Sequence, residues 1–134
     1  MKIVERSAER AVVTMPVSAD SVGNRGRVHG GAYATLVDVV CGVAAAQAGK
    51  VIEKRQSMVT TDLHVRYLAN AKGTEVTATA TAKHTGSRMI VVSCDIKDGE
   101  GRVVVTADAA MMVMPLPAAA AGLDGKPPPT APAS

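Results

Sequence analysis

The amino-acid sequence predicts an α+β domain in which one helix packs against one curved antiparallel sheet. Three observations carry that expectation. Apolar and polar residues alternate with period two in three segments of the second half of the chain. Short connections rich in Gly and Asp separate those segments, as hairpins require. A single Ala-rich stretch, lying between the first and second expected strands, is the only good helix candidate.

Taken in order, a first strand is expected over about residues 10–17 and the helix over about residues 31–47, ended by Gly49. A second strand follows over about residues 58–68. Its alternation puts Val59, Leu63, Val65 and Tyr67 on one side and Thr60, Asp62, His64 and Arg66 on the other. Val76, Ala78, Ala80 and Ala82 then share one face against Thr77, Thr79, Thr81 and Lys83. Ile90, Val92, Cys94 and Ile96 oppose Ser93, Asp95 and Lys97 in the next segment. The last runs through Val103, Val105, Ala107, Ala109, Met111 and Val113, with Val104 and Met112 blurring its polar side. The predicted order is strand, long loop, helix and four strands, about five strands in all.

Bulk properties narrow the function. At 134 residues and 47% hydrophobic, the chain suits one core, here residues 1–114. Six of seven prolines fall at or after Pro115, so residues 115–134 read as a flexible Pro/Ala-rich tail. The net charge of +3 fits an anionic small molecule and lacks the dense basic block of a nucleic-acid tail. Without Phe or Trp there is no stacking platform for single strands. Cys41 and Cys94 sit among apolar neighbours and read as packing residues in a reducing compartment. Charges at Lys2, Glu5, Arg6, Glu9 and Arg10 interrupt any secretory signal, and no run approaches the roughly 18 apolar residues of a membrane span. The expectation is a cytoplasmic protein with no membrane partner. His29, His64 and His84 are dispersed without ligand spacing, so neither a metal nor another cofactor is expected.

Chemistry concentrates at the helix. Between Ala32 and Ala46 only Thr35 and Asp38 are clearly polar, and a helix apolar all round is a buried one. A carboxylate buried there needs partners or a raised pKa, the property of a general base, although a structural residue at a subunit boundary satisfies the same pattern. Just ahead, His29-Gly30-Gly31 opens the helix with two residues that let a ligand approach free N-terminal amides, an oxyanion-binding arrangement. Asp38 follows His29 by nine residues, so a carboxylate and an amide donor are expected to flank one reacting carbon.

The run Gly26-x-Val28-His29-Gly30-Gly31 followed by Ala34-Thr35-Leu36-Val37-Asp38 resembles the signature of hot-dog fold acyl-CoA thioesterases of the phenylacetate-pathway (PaaI-like) group. Residues 59–68, VTTDLHVRYL, resemble that family's second strand, and Gly86-Ser87-Arg88 its later hairpin. The resemblance spans about residues 8–114. It implies a hot-dog fold, a curved sheet wrapped around one long central helix. It also implies that Asp38 acts on an acyl-CoA or aryl-CoA thioester as general base or nucleophile, and that the Gly30 amide polarises the carbonyl. Thr60 would come from the opposite subunit to position water, in a homodimer with shared active sites that pairs into a homotetramer. His29 orients the loop. Asn24 lies one position away from an Asn that the family often carries before the histidine.

Gly31 adjoins the expected acyl site. Gly86, Ser87 and Arg88, with Arg66 and Lys83 adding charge, are the candidate CoA site, because amides, a hydroxyl and a guanidinium suit phosphate. Two other readings share the fold: a non-catalytic acyl-CoA-binding module and an enoyl-CoA hydratase or dehydratase.

Overall fold

Alternation along the late strands becomes a buried face against a helix. The computed structural model describes residues 1–18, 22–23 and 27–116 of the 134. Its elements are β1 (Lys2–Arg6), β2 (Ala11–Pro16), α1 (Gly30–Gly49), β3 (Gln56–Tyr67), β4 (Glu75–Thr85), β5 (Met89–Lys97) and β6 (Val103–Pro115). All strand pairs are antiparallel, in the order β1-β2-β4-β5-β6-β3. This is the expected hot-dog arrangement, with six strands in place of about five. The added strand, β1, is five residues long and mostly exposed, so no apolar alternation announced it.

Val76, Ala78 and Ala80 of β4, Ile90, Val92 and Ile96 of β5 and Ala107, Ala109 and Met111 of β6 form the buried face. Leu36, Val37, Val40 and Cys41 of α1 pack on it, each fully buried. Burying a side chain of Leu or Ile size contributes roughly 2 kcal/mol. The many alanines let helix and sheet approach closely.

Gly49 ends α1 as expected, and Lys50, the residue that caps it, takes the left-handed conformation with φ 50°. Lys50 N–H donates to the Gln47 carbonyl at 3.3 Å and Val51 N–H to the Ala46 carbonyl at 3.1 Å, closing the last turn in a Schellman pattern. Gly49 also serves packing, since a Cβ there would stand 2.6 Å from Ile90 Cδ1.

The helix is not buried all round. Thr35, Asp38 and Val39 are exposed, because the sheet wraps α1 on one side and leaves a seam between its two edge strands. By length and hydropathy alone α1, at 20 residues, could cross a membrane, contrary to the expectation that no segment is long enough. Its inner face is instead spent on the sheet, which accounts for that composition.

Asp98, in the β5–β6 turn, is the buried charged residue of the described chain. Its carboxylate accepts the backbone N–H groups of Lys72, Glu100 and Arg102, each at 3.0 Å. Of the expected tail, Pro115 closes β6 opposite Gln56 and Leu116 follows it; the remainder lies outside the described residues.

Candidate active site

Asp38 has one side-chain partner. Thr60 Oγ1 donates to Asp38 Oδ1 at 2.8 Å within the same chain, so this pairing needs no second subunit. A β-bulge makes it possible. The register of β3 on β6 shifts between Thr60 and Asp62, so Thr60 pairs with Met111 while Leu63 pairs with Ala109, both core-facing positions. Thr60 therefore joins Met58, Leu63, Val65 and Tyr67 on the helix side, and Val59 joins Asp62, His64 and Arg66 outside. That reverses the expected facing of both Val59 and Thr60. Thr61, the extra residue, ties its hydroxyl to the Ala110 carbonyl at 3.1 Å. Asp38 is exposed, not the buried carboxylate expected.

At the start of α1, the His29 carbonyl accepts N–H bonds from Ala32 at 3.0 Å and Tyr33 at 3.2 Å. The Gly30 and Gly31 amides precede any intrahelical acceptor and point out of the helix end. Tyr67 donates its hydroxyl to the Gly30 carbonyl at 2.9 Å, and a Cβ on Gly30 would stand 3.3 Å from that oxygen. Glycine at 30 thus serves a close approach. Thr35 Oγ1 donates to the Gly31 carbonyl at 2.8 Å. The His29 ring lies against Gly23, whose added Cβ would meet Cε1 at 3.1 Å. Asn24 lies outside the described residues.

Gly30 and Asp38 are eight residues apart on one helix, about 12 Å along its axis. The two cannot flank one carbonyl carbon within a single chain, contrary to the sequence-based expectation. The spacing is fixed by the helix itself.

Beside Asp38 runs a groove of about 410 Å³. Its floor is the exposed seam of α1, including Val39, Gly42 and Val43; Met58 and Thr60 form one wall and Arg6 of β1 stands on the other. Arg6 was read from sequence only as a charge interrupting an apolar run. Its position depends on β1 wrapping round to the open side of the helix.

A second cavity, about 730 Å³, gathers Ser87 and Arg88 with Lys54 and Arg55. Ser87 and Arg88 form the tip of the β4–β5 hairpin, closed by Gly86 N–H donating to the Met89 carbonyl at 2.8 Å. A Cβ on Gly86 would stand 3.0 Å from that carbonyl oxygen. Lys54 and Arg55 come from the turn after α1, where Arg55 holds φ 53°. A charged turn was visible in the sequence; its apposition to the hairpin was not. Arg66 and Lys83 do not join this cluster. Arg66 projects from the outer face of β3, ten residues from Gln56 and about 33 Å along the strand, and Lys83 lines an outer-face hollow with Thr79 and Thr81.

Cys41 and Cys94 are both buried. A hydrogen bond to Cys94 and burial push the Cys41 thiol upward, away from the thiolate a nucleophile needs. No cluster of metal-ligating side chains occurs among the described residues.

Residues 25–105 match the thioesterase superfamily. ComA2 of Bacillus subtilis, whose name places it with the esterases, is 33% identical over 105 residues, covering 78% of this chain and 81% of its own. The similarly named SSO2140 of Saccharolobus solfataricus is 26% identical over 77% of this chain and 71% of its own. Among solved structures, a thioesterase family protein from Silicibacter pomeroyi superposes with a TM-score of 0.77 at 25% identity, covering 84% of this chain and 83% of its own. Thioesterase HI1161 from Haemophilus influenzae shares the fold with a TM-score of 0.78, at 24% identity over 85% of this chain and 78% of its own.

Proposed function

The chain belongs to the thioesterase superfamily, and from that premise we propose that it hydrolyses acyl-CoA or aryl-CoA thioesters to free acid and CoA. The observation that carries the reading is the Asp38–Thr60 pair at 2.8 Å at the head of an apolar groove. One carboxylate oxygen is held by the hydroxyl and the other is free to take a proton from water, or to attack the carbonyl itself.

The polarising donor is the Gly30 amide. Because about 12 Å of helix separates it from Asp38, the working site joins Asp38 and Thr60 of one chain with Gly30 of the partner subunit, with Gly31 and His29 shaping that loop. The assembly is then a homodimer with two shared sites, and pairs of dimers give a tetramer. Asn24 belongs to the same loop and is a secondary candidate. Gly86, Ser87 and Arg88 receive the CoA phosphates, with Lys54 and Arg55 supplying the charge first assigned to Arg66 and Lys83. The reaction uses no metal or other cofactor, and the enzyme works in the cytoplasm.

Thiol release from a panel of aryl, short and long acyl-CoA substrates tests the proposal. Hydrolysis abolished in Asp38→Ala with unchanged circular dichroism is expected. An Asp38→Ala protein with full activity sinks the mechanism, and water addition to an enoyl-CoA without thiol release would make the chain a hydratase.

A further inference from the structure

The groove beside Asp38 carries polar side chains besides the reacting pair. Asp38 and Thr60 stand toward the β3 edge. Arg6 and Gln47 also line it, and neither belongs to the reacting pair. Nine residues separate Asp38 from Gln47, which is two and a half helical turns. The two side chains therefore lie on opposite flanks of α1 and about 13.5 Å apart along its axis. Val39, Val43 and Ala46 make the stretch between them apolar.

Arg6 reaches the groove through a local irregularity. Ile3 pairs with Val13 and Arg6 with Ala11, both core-facing, because the β1 register shifts between Ile3 and Glu5. The bulge turns Arg6 to the helix side and leaves Glu5 to pair with Arg10, whose Nη2 donates to Oε1 at 3.1 Å. No ion pair to Arg6 occurs among the described residues. A guanidinium without an ion pair thus lines the same apolar groove as the reacting carboxylate.

Resting on the thioesterase reading, we infer that the groove admits an acyl group ending in a carboxylate, which Arg6 pairs with while the thioester carbon lies at Asp38. Apolar side chains accept the intervening methylenes, and Gln47 offers a further amide N–H about 13.5 Å along the helix from Asp38. In the reaction, water oxygen bonds to the thioester carbon and the C–S bond breaks. The thiolate leaves and takes up a proton, so the products are a dicarboxylic acid and CoA.

The test compares adipyl-CoA with hexanoyl-CoA, equal in carbon number and differing in the terminal carboxylate. In the wild type, kcat/KM is expected to favour adipyl-CoA. Arg6→Gln should reduce the adipyl-to-hexanoyl ratio by about tenfold or more, the scale of one charge-assisted hydrogen bond, and Arg6→Lys should restore much of it. Calorimetric affinities for the same two compounds in an Asp38→Asn background give the ratio without turnover. An unchanged ratio overturns the inference, as does a loss shared equally by both substrates, which would place Arg6 on CoA or on Asp38. If the wild type hydrolyses no thioester, the thioesterase reading falls, and the affinity ratio still decides the role of Arg6.

Discussion

Asp98 and Asp38 are two carboxylates that the fold treats in opposite ways. Asp98 is buried and accepts three backbone N–H groups at 3.0 Å, so its oxygens are occupied by the turn they hold together. Asp38 is exposed and meets one hydroxyl, which leaves lone pairs for water or substrate. The saturated carboxylate supports structure, whereas the undersaturated one beside a groove is available for chemistry. In sequence the ranking looked reversed, because Asp98 sat in an ordinary Gly-rich turn and Asp38 in an apolar helix.

The largest expected separation is in activity. Asp38→Asn should lower kcat by roughly 10²- to 10⁴-fold while the melting temperature stays near that of the wild type; a large drop in Tm would make Asp38 structural as well. Asp98→Asn should do the reverse, lowering Tm at neutral pH, because an amide nitrogen cannot accept the N–H groups the carboxylate holds.

That contrast carries a pH dependence with a definite sign. Backbone N–H donors, Lys72 first, hold Asp98 below its ordinary value of 3.8. A depressed carboxylate contributes stability that is fully present above pH 3.8 and is lost as pH falls through the lower folded value. Chemical denaturation at pH 6 and at progressively lower pH should show the wild-type advantage over Asp98→Asn shrinking below that point. An advantage that grows on acidification would refute the assignment.

Smaller effects sharpen the picture at the site. Thr60→Val should cost about tenfold in kcat, on the scale of one hydrogen bond to a charged group, and Thr60→Ser should recover most of it. Equal loss in both variants would mean that the methyl group, not the hydroxyl, matters. Least in size, Gly42→Ala should stabilise the protein by about 0.8 kcal/mol, because a Cβ there meets nothing within 4 Å. Gly49→Ala should gain less or lose stability, since its Cβ would crowd Ile90 Cδ1 at 2.6 Å.

Much of the fold was legible because it is written in local periodicity. Alternation in β4, β5 and β6 survives as buried and exposed faces, and the Ala-rich stretch is α1 to within two residues at its far end. Gly30 and Asp38 also declared themselves locally, as a glycine opening a helix and a polar residue within it. Val59 and Thr60 were misplaced because one inserted residue reverses every facing on one side of it, and a bulge is settled by the partner strand.

The sequence by itself thus determined which segments become strands and helix, and which residue types stand at the opening and middle of that helix. Only the tertiary structure decided that Asp38 lies open on the seam, that Thr60 turns inward to meet it, and that Arg6 stands across the groove. The reason is physical. Secondary structure follows from interactions a few residues apart, whereas exposure, bulge position and the meeting of two sheet edges depend on strands joined through pairings far apart in the chain.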